Sequence, residues 1–161
     1  MSKPRKNSQG GTGNELSGFL PYQLSIASNA VSTLIAERYR KRFALKITEW
    51  RVMAVLGDAG RLTQRDLTEA TLMDKVAVNR ACKVLEDRGL IARAANVNDG
   101  RSHLLELTEE GQEIHSEVMP LARATERDLF EGFAPEEERA LREMLKRMRE
   151  RAGFLADQAS R

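Results

Sequence analysis

Lys75, Asn79, Arg80 and Lys83 stand at steps of four, one and three residues, which puts them mostly on one face of a helix. All four are hydrogen-bond donors and three are cationic, a set suited to a polyanion with readable edges. Asparagine can pair with adenine, and arginine with guanine or with a phosphate. Further on, Asn98-Asp99-Gly100-Arg101 is a strong turn signal. Arg101 is too exposed at such a tip to be core, and its reach suits a narrow minor groove with enhanced negative potential. Asp99 is placed to orient that guanidinium through a charge-assisted bond. The plain alternatives are a solvated helix face and a turn chosen for its geometry alone.

No catalytic constellation competes with this reading. His103 and His115 have no cysteine or carboxylate set at metal-ligand spacing. There is no glycine-rich phosphate loop, nucleophile elbow or carboxylate pair. No catalysis, metal or cofactor is expected. The single Cys82 cannot form an intrachain disulfide and falls on the inner side of its helix. A buried, inert thiol is the simpler expectation, and a redox sensor the competing one.

The elements that must position these groups are legible from caps, stops and periodicity. Asp74 caps a helix running to Arg88, with Val78, Cys82 and Leu85 facing inward, and Gly89 stops it. Before it, Thr63 with Asp66 three residues later marks the start of a short helix. The backbone amides of Thr63 and Gln64 there could hold a phosphate. Two short helices joined by a brief turn form a helix-turn-helix. A hairpin follows, from Leu90-Ile91 through the polar tip to a strand from His103 to Leu107, with Thr108 capping the next helix. Arg93 and His103 could add backbone contacts from its strands.

Upstream, apolar residues from Leu20 to Ile35 recur at helical steps, and a helix starting at Thr48 is ended by Gly57 and Gly60. Downstream, Pro135 opens a last helix, in which Leu141, Leu145, Met148, Ala152 and Leu155 follow a 4-3-4-3 seam. Long helices with an apolar seam and no core of their own need a partner, and a second copy of the chain would supply it.

The 161 residues carry a net charge of only +2. Residues 1–104 hold 17 Lys or Arg against 10 Asp or Glu, and residues 105–161 hold 9 against 14. The excess cations therefore coincide with the helix-turn-helix and hairpin. No run of 18 apolar residues exists, so no membrane span is expected. Residues 1–16 read as a disordered basic tail without the apolar stretch of a secretory signal, and a cytoplasmic setting follows.

From about residue 19 to residue 155 the chain resembles the MarR family of bacterial transcription regulators. The resemblance rests on Leu85-Glu86-Asp87-Arg88-Gly89-Leu90-Ile91 with Arg93, on Asp99-Gly100-Arg101, and on Leu105-Glu106-Leu107-Thr108 with Gly111. It implies a homodimer whose recognition helices enter successive major grooves while the wings reach flanking minor grooves. It also implies repression relieved by a small molecule bound between the DNA-binding and dimerisation regions. Many members carry small hydroxyl residues where this chain has Val76 and Ala77, which favours contact with a thymine methyl. A narrower likeness, in Phe19-Leu-Pro-Tyr22, Ser28-Asn29 and Ile47-Thr-Glu-Trp50-Arg51-Val52, is to regulators of aromatic-acid degradation, some of which answer to hydroxycinnamoyl-CoA thioesters. Arg38 and Arg42 share a face near Trp50 and Arg51. With Ser28, they form a candidate site for the carboxylate of an aromatic acid or the phosphates of its CoA thioester. A solvated basic surface around a core tryptophan is the competing reading.

The sequence thus predicts a mainly α protein with a small β-hairpin wing, a winged helix-turn-helix plus a helical dimerisation region. Residues 17–46 are expected as an N-terminal dimerisation helix and pocket wall, 47–108 as the DNA-binding domain, and 109–157 as C-terminal dimerisation helices. The expected function is a homodimeric repressor on pseudo-palindromic duplex DNA, released by an aromatic acid or its CoA thioester. The competitors are a redox-responsive repressor acting through Cys82 and a protein–protein adaptor that binds no DNA.

Overall fold

The computed structural model describes residues 15–160. The tail expected over residues 1–14 lies outside them. Residues 15 and 16, assigned to that tail by composition, belong instead to a 3-10 turn, Glu15–Gly18. Six helices and three short strands follow: α1 (Leu20–Phe43), α2 (Ile47–Ala59), β1 (Leu62–Thr63), α3 (Gln64–Thr71), α4 (Lys75–Asp87), β2 (Ile91–Ala95), β3 (His103–Leu107), α5 (Glu109–Leu129) and α6 (Pro135–Ala159). The mainly α architecture with a hairpin wing is as the sequence predicts. No helix among the described residues is long and apolar enough to cross a membrane. Residues up to Met119 form one compact unit and those from Pro120 a second, so the division falls inside α5.

In the first unit the core gathers one face from each element, including Tyr39 of α1, Met53 of α2, Leu67 of α3, Leu85 of α4, Leu105 of β3 and Val118 of α5. Each such aliphatic side chain contributes about 1.5–3 kcal/mol on burial. The sheet is antiparallel in the order β1-β3-β2. Its hairpin pairs Ile91 with Leu107 and Ala95 with His103, while Leu62 of β1 pairs with Leu105 on the other edge of β3. The third strand was not expected: two residues are too few to show a period, and β1 exists because β3 offers a free edge.

The helix α2 begins one residue earlier than expected, where the Glu49 carboxylate accepts the Lys46 backbone N–H at 2.9 Å. It also continues through Gly57 and ends at Gly60, whose φ is 80°. Gly57 is therefore a packing residue and not a stop. A Cβ there would lie 2.3 Å from His115 Nε2 of α5. The His115 ring stacks on Trp50 at 5.6 Å, and Trp50 lies 5.7 Å from Tyr39. A second close approach seats the start of α5: Thr108 Oγ1 accepts the Gly111 N–H, and a Cβ on Gly111 would sit 2.0 Å from the Leu90 carbonyl oxygen.

The ends of α1 and α4 are joined by one side chain. Arg88 donates to the Phe43 carbonyl at 2.7 Å and the Ala44 carbonyl at 3.0 Å. These groups lie at the negative end of α1, where a cation is stabilising.

In the second unit, Arg142 of α6 pairs with Glu126 of α5 at 2.8 Å. The Glu137 carboxylate accepts the Ala134 N–H at 2.8 Å where α6 begins. The α6 seam is bare in the single chain: Leu145, Met148 and Leu155 are all exposed, and no α6 residue is buried. The start of α1 likewise leaves Phe19, Leu20, Leu24 and Ile26 exposed.

Candidate nucleic-acid interface

The turn between α3 and α4 is built from residues that prefer caps to helix interiors. Thr63 Oγ1 accepts the Asp66 N–H at 3.1 Å, and the Asp66 carboxylate accepts the Thr63 N–H at 2.9 Å. The Thr63 hydroxyl, which donates to the Asp66 carboxylate at 2.7 Å, and then the Thr63 backbone N–H hold that carboxyl below the usual carboxylate range. Leu72 then closes α3 with a left-handed φ of 52°. Asp74 caps α4 by accepting the Ala77 N–H at 2.8 Å, a contact whose loss costs about 1 kcal/mol.

With Val78, Ala81, Cys82 and Leu85 buried, α4 turns its opposite face outward. That face carries Lys75, Val76, Asn79, Arg80 and Lys83, all exposed. Lys75 and Arg80 make no ion pair among the described residues, whereas Lys83 lies 3.5 Å from Asp87. Ala77 is half-buried, and its backbone donor is taken by Asp74. Asn79 Oδ1 accepts from Gln64 Nε2 of α3 at 2.7 Å.

Between the start of α3 and the wing runs a groove of about 400 Å³ lined by Thr63, Gln64, Arg65, Arg93, Arg101 and His103 among others. Its cations differ in availability. The Arg93 guanidinium is held by Glu86 of α4 through two bonds of 2.7 and 2.8 Å. That pairing holds the Glu86 carboxyl below its ordinary range. Arg93 therefore ties β2 to α4. Arg101, at the exposed tip, makes no ion pair among the described residues.

Two expectations are corrected at this site, and one alternative reading is set aside. The Asp99 carboxylate accepts the backbone N–H of Arg101 at 3.0 Å and shapes the turn; it does not pair with the guanidinium. Asn96 donates to Ser102 Oγ at 2.8 Å and closes the same tip. The Thr63 amide, expected to be open to a phosphate, is committed to Asp66, which leaves the Gln64 amide at the open end of α3. Cys82 is wholly buried, and burial pushes its thiol up to about 11. A redox switch needs an accessible thiolate, so the Cys82 alternative loses its physical basis.

The candidate effector residues are not gathered in the same way. Trp50 is only 8% exposed and spends its ring on Tyr39 and His115. Arg42 is paired with Glu117. Arg51 donates to Ser32 Oγ at 3.1 Å, while Ser28 and Arg38 are exposed on α1. Sequence reasoning missed Glu86, Arg88 and Arg65. The signal for Glu86 was its place seven residues before Arg93, across the Gly89 turn.

Residues 45–102, which span the helix-turn-helix and the first wing strand, match the model of the MarR family. The HTH-type transcriptional regulator YdgJ of Bacillus subtilis strain 168 is 27% identical over 128 residues, 80% of this chain and 76% of that protein. A solved MarR/EmrR family transcriptional regulator from Acinetobacter sp. ADP1 superposes with a TM-score of 0.80 at 27% identity, covering 86% of this chain and 98% of that one. BpsR of Bordetella bronchiseptica, whose DNA binding is regulated by 6-hydroxynicotinic acid, superposes with a TM-score of 0.71 at 25% identity, covering 80% and 97%. The capped helix pair, the basic-tipped hairpin and these likenesses agree: residues 45–102 match the MarR family of winged helix-turn-helix transcription regulators, and the chain has the fold of its solved members.

Proposed function

We propose that the protein is a homodimeric repressor that holds pseudo-palindromic duplex DNA, with α4 of each copy in a major groove and Arg101 in the flanking minor groove. The observation that carries this reading is the exposed donor face of α4, with Lys75 and Arg80 unpaired among the described residues, beside a wing whose Arg101 makes no ion pair among them either. Cations left without protein partners on one side of a recognition helix suit phosphates and base edges. Val76, 56% exposed on the same face, suits a thymine methyl. Two copies joined through the bare apolar stripes of α1 and α6 would set their readers about 34–36 Å apart, one turn of DNA.

The effector in this reading is a small aromatic acid or its CoA thioester. The relation to BpsR, regulated by 6-hydroxynicotinic acid, supports an aromatic acid in particular. Release requires that the ligand favour a dimer arrangement whose readers no longer match the half-site spacing.

Fluorescence anisotropy with duplexes from the promoter of the protein's own gene tests the reading. Binding should weaken about tenfold or more between 50 and 200 mM salt, as released counterions require. Sedimentation should give a dimer at micromolar concentration. A monomer, or indifference to duplex DNA at low ionic strength, refutes the proposal. If DNA binding holds while no aromatic acid or thioester lowers it, the effector assignment alone falls.

A further inference from the structure

The contact between Gln64 and Asn79 crosses from the first helix of the reading motif to the second. Gln64 is the first residue of α3 and Asn79 lies one turn into α4. The Gln64 Nε2 donates to Asn79 Oδ1 at 2.7 Å. A carboxamide is a two-pronged group whose oxygen accepts and whose nitrogen donates. With its oxygen turned to Gln64, Asn79 is left with its Nδ2 donors as the prong without a partner among the described residues.

We infer that Gln64 is a specificity-determining positioning residue, which fixes the carboxamide of Asn79 so that it presents a donor to the major groove. Adenine, guanine and thymine each offer an acceptor on that edge, whereas cytosine offers only its N4 donor. Asn79 in this orientation therefore rejects cytosine at the base it meets. The surroundings of Gln64 agree with its orientation. Burial dominates the rise of the Cys82 thiol, but a hydrogen bond from Gln64 is among the influences that oppose it. Gln64 therefore lies within reach of both Cys82 and Asn79.

This inference rests on the DNA-binding reading above, and one selection experiment separates the two. The full-length protein is presented with a duplex pool randomised over the half-site, and bound sequences are counted for the parent, Gln64→Glu, Gln64→Leu and Asn79→Ala. A glutamate at position 64 can only accept, so Asn79 must turn its Nδ2 inward and offer Oδ1 to the groove. Glutamate at the first position of a helix suits the dipole, and the Thr63–Asp66 cap is untouched, so α3 keeps its fold.

The parent should disfavour cytosine at one position by roughly 5- to 100-fold, the span of a good base contact. Asn79→Ala should erase that preference at the same position, and Gln64→Leu should blur it. Gln64→Glu should turn it toward cytosine or adenine, whatever its added charge does to overall affinity. Preferences elsewhere in the half-site should not move. A parent that selects sequences but keeps its profile in both Gln64 variants overturns the inference and leaves the DNA reading standing. A parent that selects nothing overturns both.

Discussion

Replacing Gly57 by alanine sets two known effects against each other within one contact. In the interior of α2, alanine is favoured over glycine by about 1 kcal/mol through helix propensity alone. The new methyl would meet the His115 ring at 2.3, 2.5 and 2.7 Å, all well inside van der Waals contact. Overpacking of this kind costs about 1–3 kcal/mol. The ring cannot step aside freely, since doing so forfeits its stacking on Trp50, worth about 0.5–1.5 kcal/mol. The clash should win, so Gly57→Ala should destabilise the protein by about 1 kcal/mol. In a His115→Ala background the obstacle is gone, and the same change should stabilise by about 1 kcal/mol. The sign reversal, a coupling of about 2 kcal/mol, is the signature of direct contact. Urea unfolding at fixed protein concentration, followed by the fluorescence of Trp50, the single tryptophan of the chain, measures all four variants. A Gly57→Ala protein more stable than the parent would refute the packing argument, as would equal effects in both backgrounds.

Other perturbations follow from the same geometry. Arg101→Ala should weaken duplex binding with unfolding unchanged and lower the salt slope by about one unit; unaltered affinity would rule out the wing contact. Burial, opposed by Asp58, holds the His115 imidazole below the ordinary histidine value. The unfolded chain then takes up the proton more readily, so this stability is present above about pH 6.5 and declines as pH falls below it. The urea midpoint should drop between pH 7.5 and pH 5 and do so less in His115→Gln; identical pH dependence in the two would refute this. Cys82, with its thiol near 11, should resist an aromatic disulfide reagent at pH 8 until urea unfolds the chain, and rapid stoichiometric labelling of the native protein would contradict its burial.

The parts of the reading motif that were legible in the sequence are those specified by local chemistry. Asp74 as a cap, Gly89 as a stop at φ 69° and Asn98-Asp99-Gly100 as a turn need only their neighbours to be understood. What was not legible depends on partners distant in the chain. Gly57 reads as a helix end until His115, 58 residues on, fills the space beside it. Trp50 sits among cations in the sequence and looks like a ligand platform, but its ring faces Tyr39 and His115. Arg93 and Asp99 have protein partners that spacing alone did not disclose, Glu86 in one case and the Arg101 backbone amide in the other.

The single guanidinium of Arg88, gripping two carbonyls at the tail of α1, is a direct tie between the long first helix and the end of the reading helix. A swing of α1 would be felt through that tie at the end of α4, with no need to disturb the exposed face of that helix. Control of gene expression could then be exercised far from the double helix, by whatever tilts α1. A shorter, unforked cation such as lysine at residue 88 would leave the repressor able to hold DNA but deaf to that command.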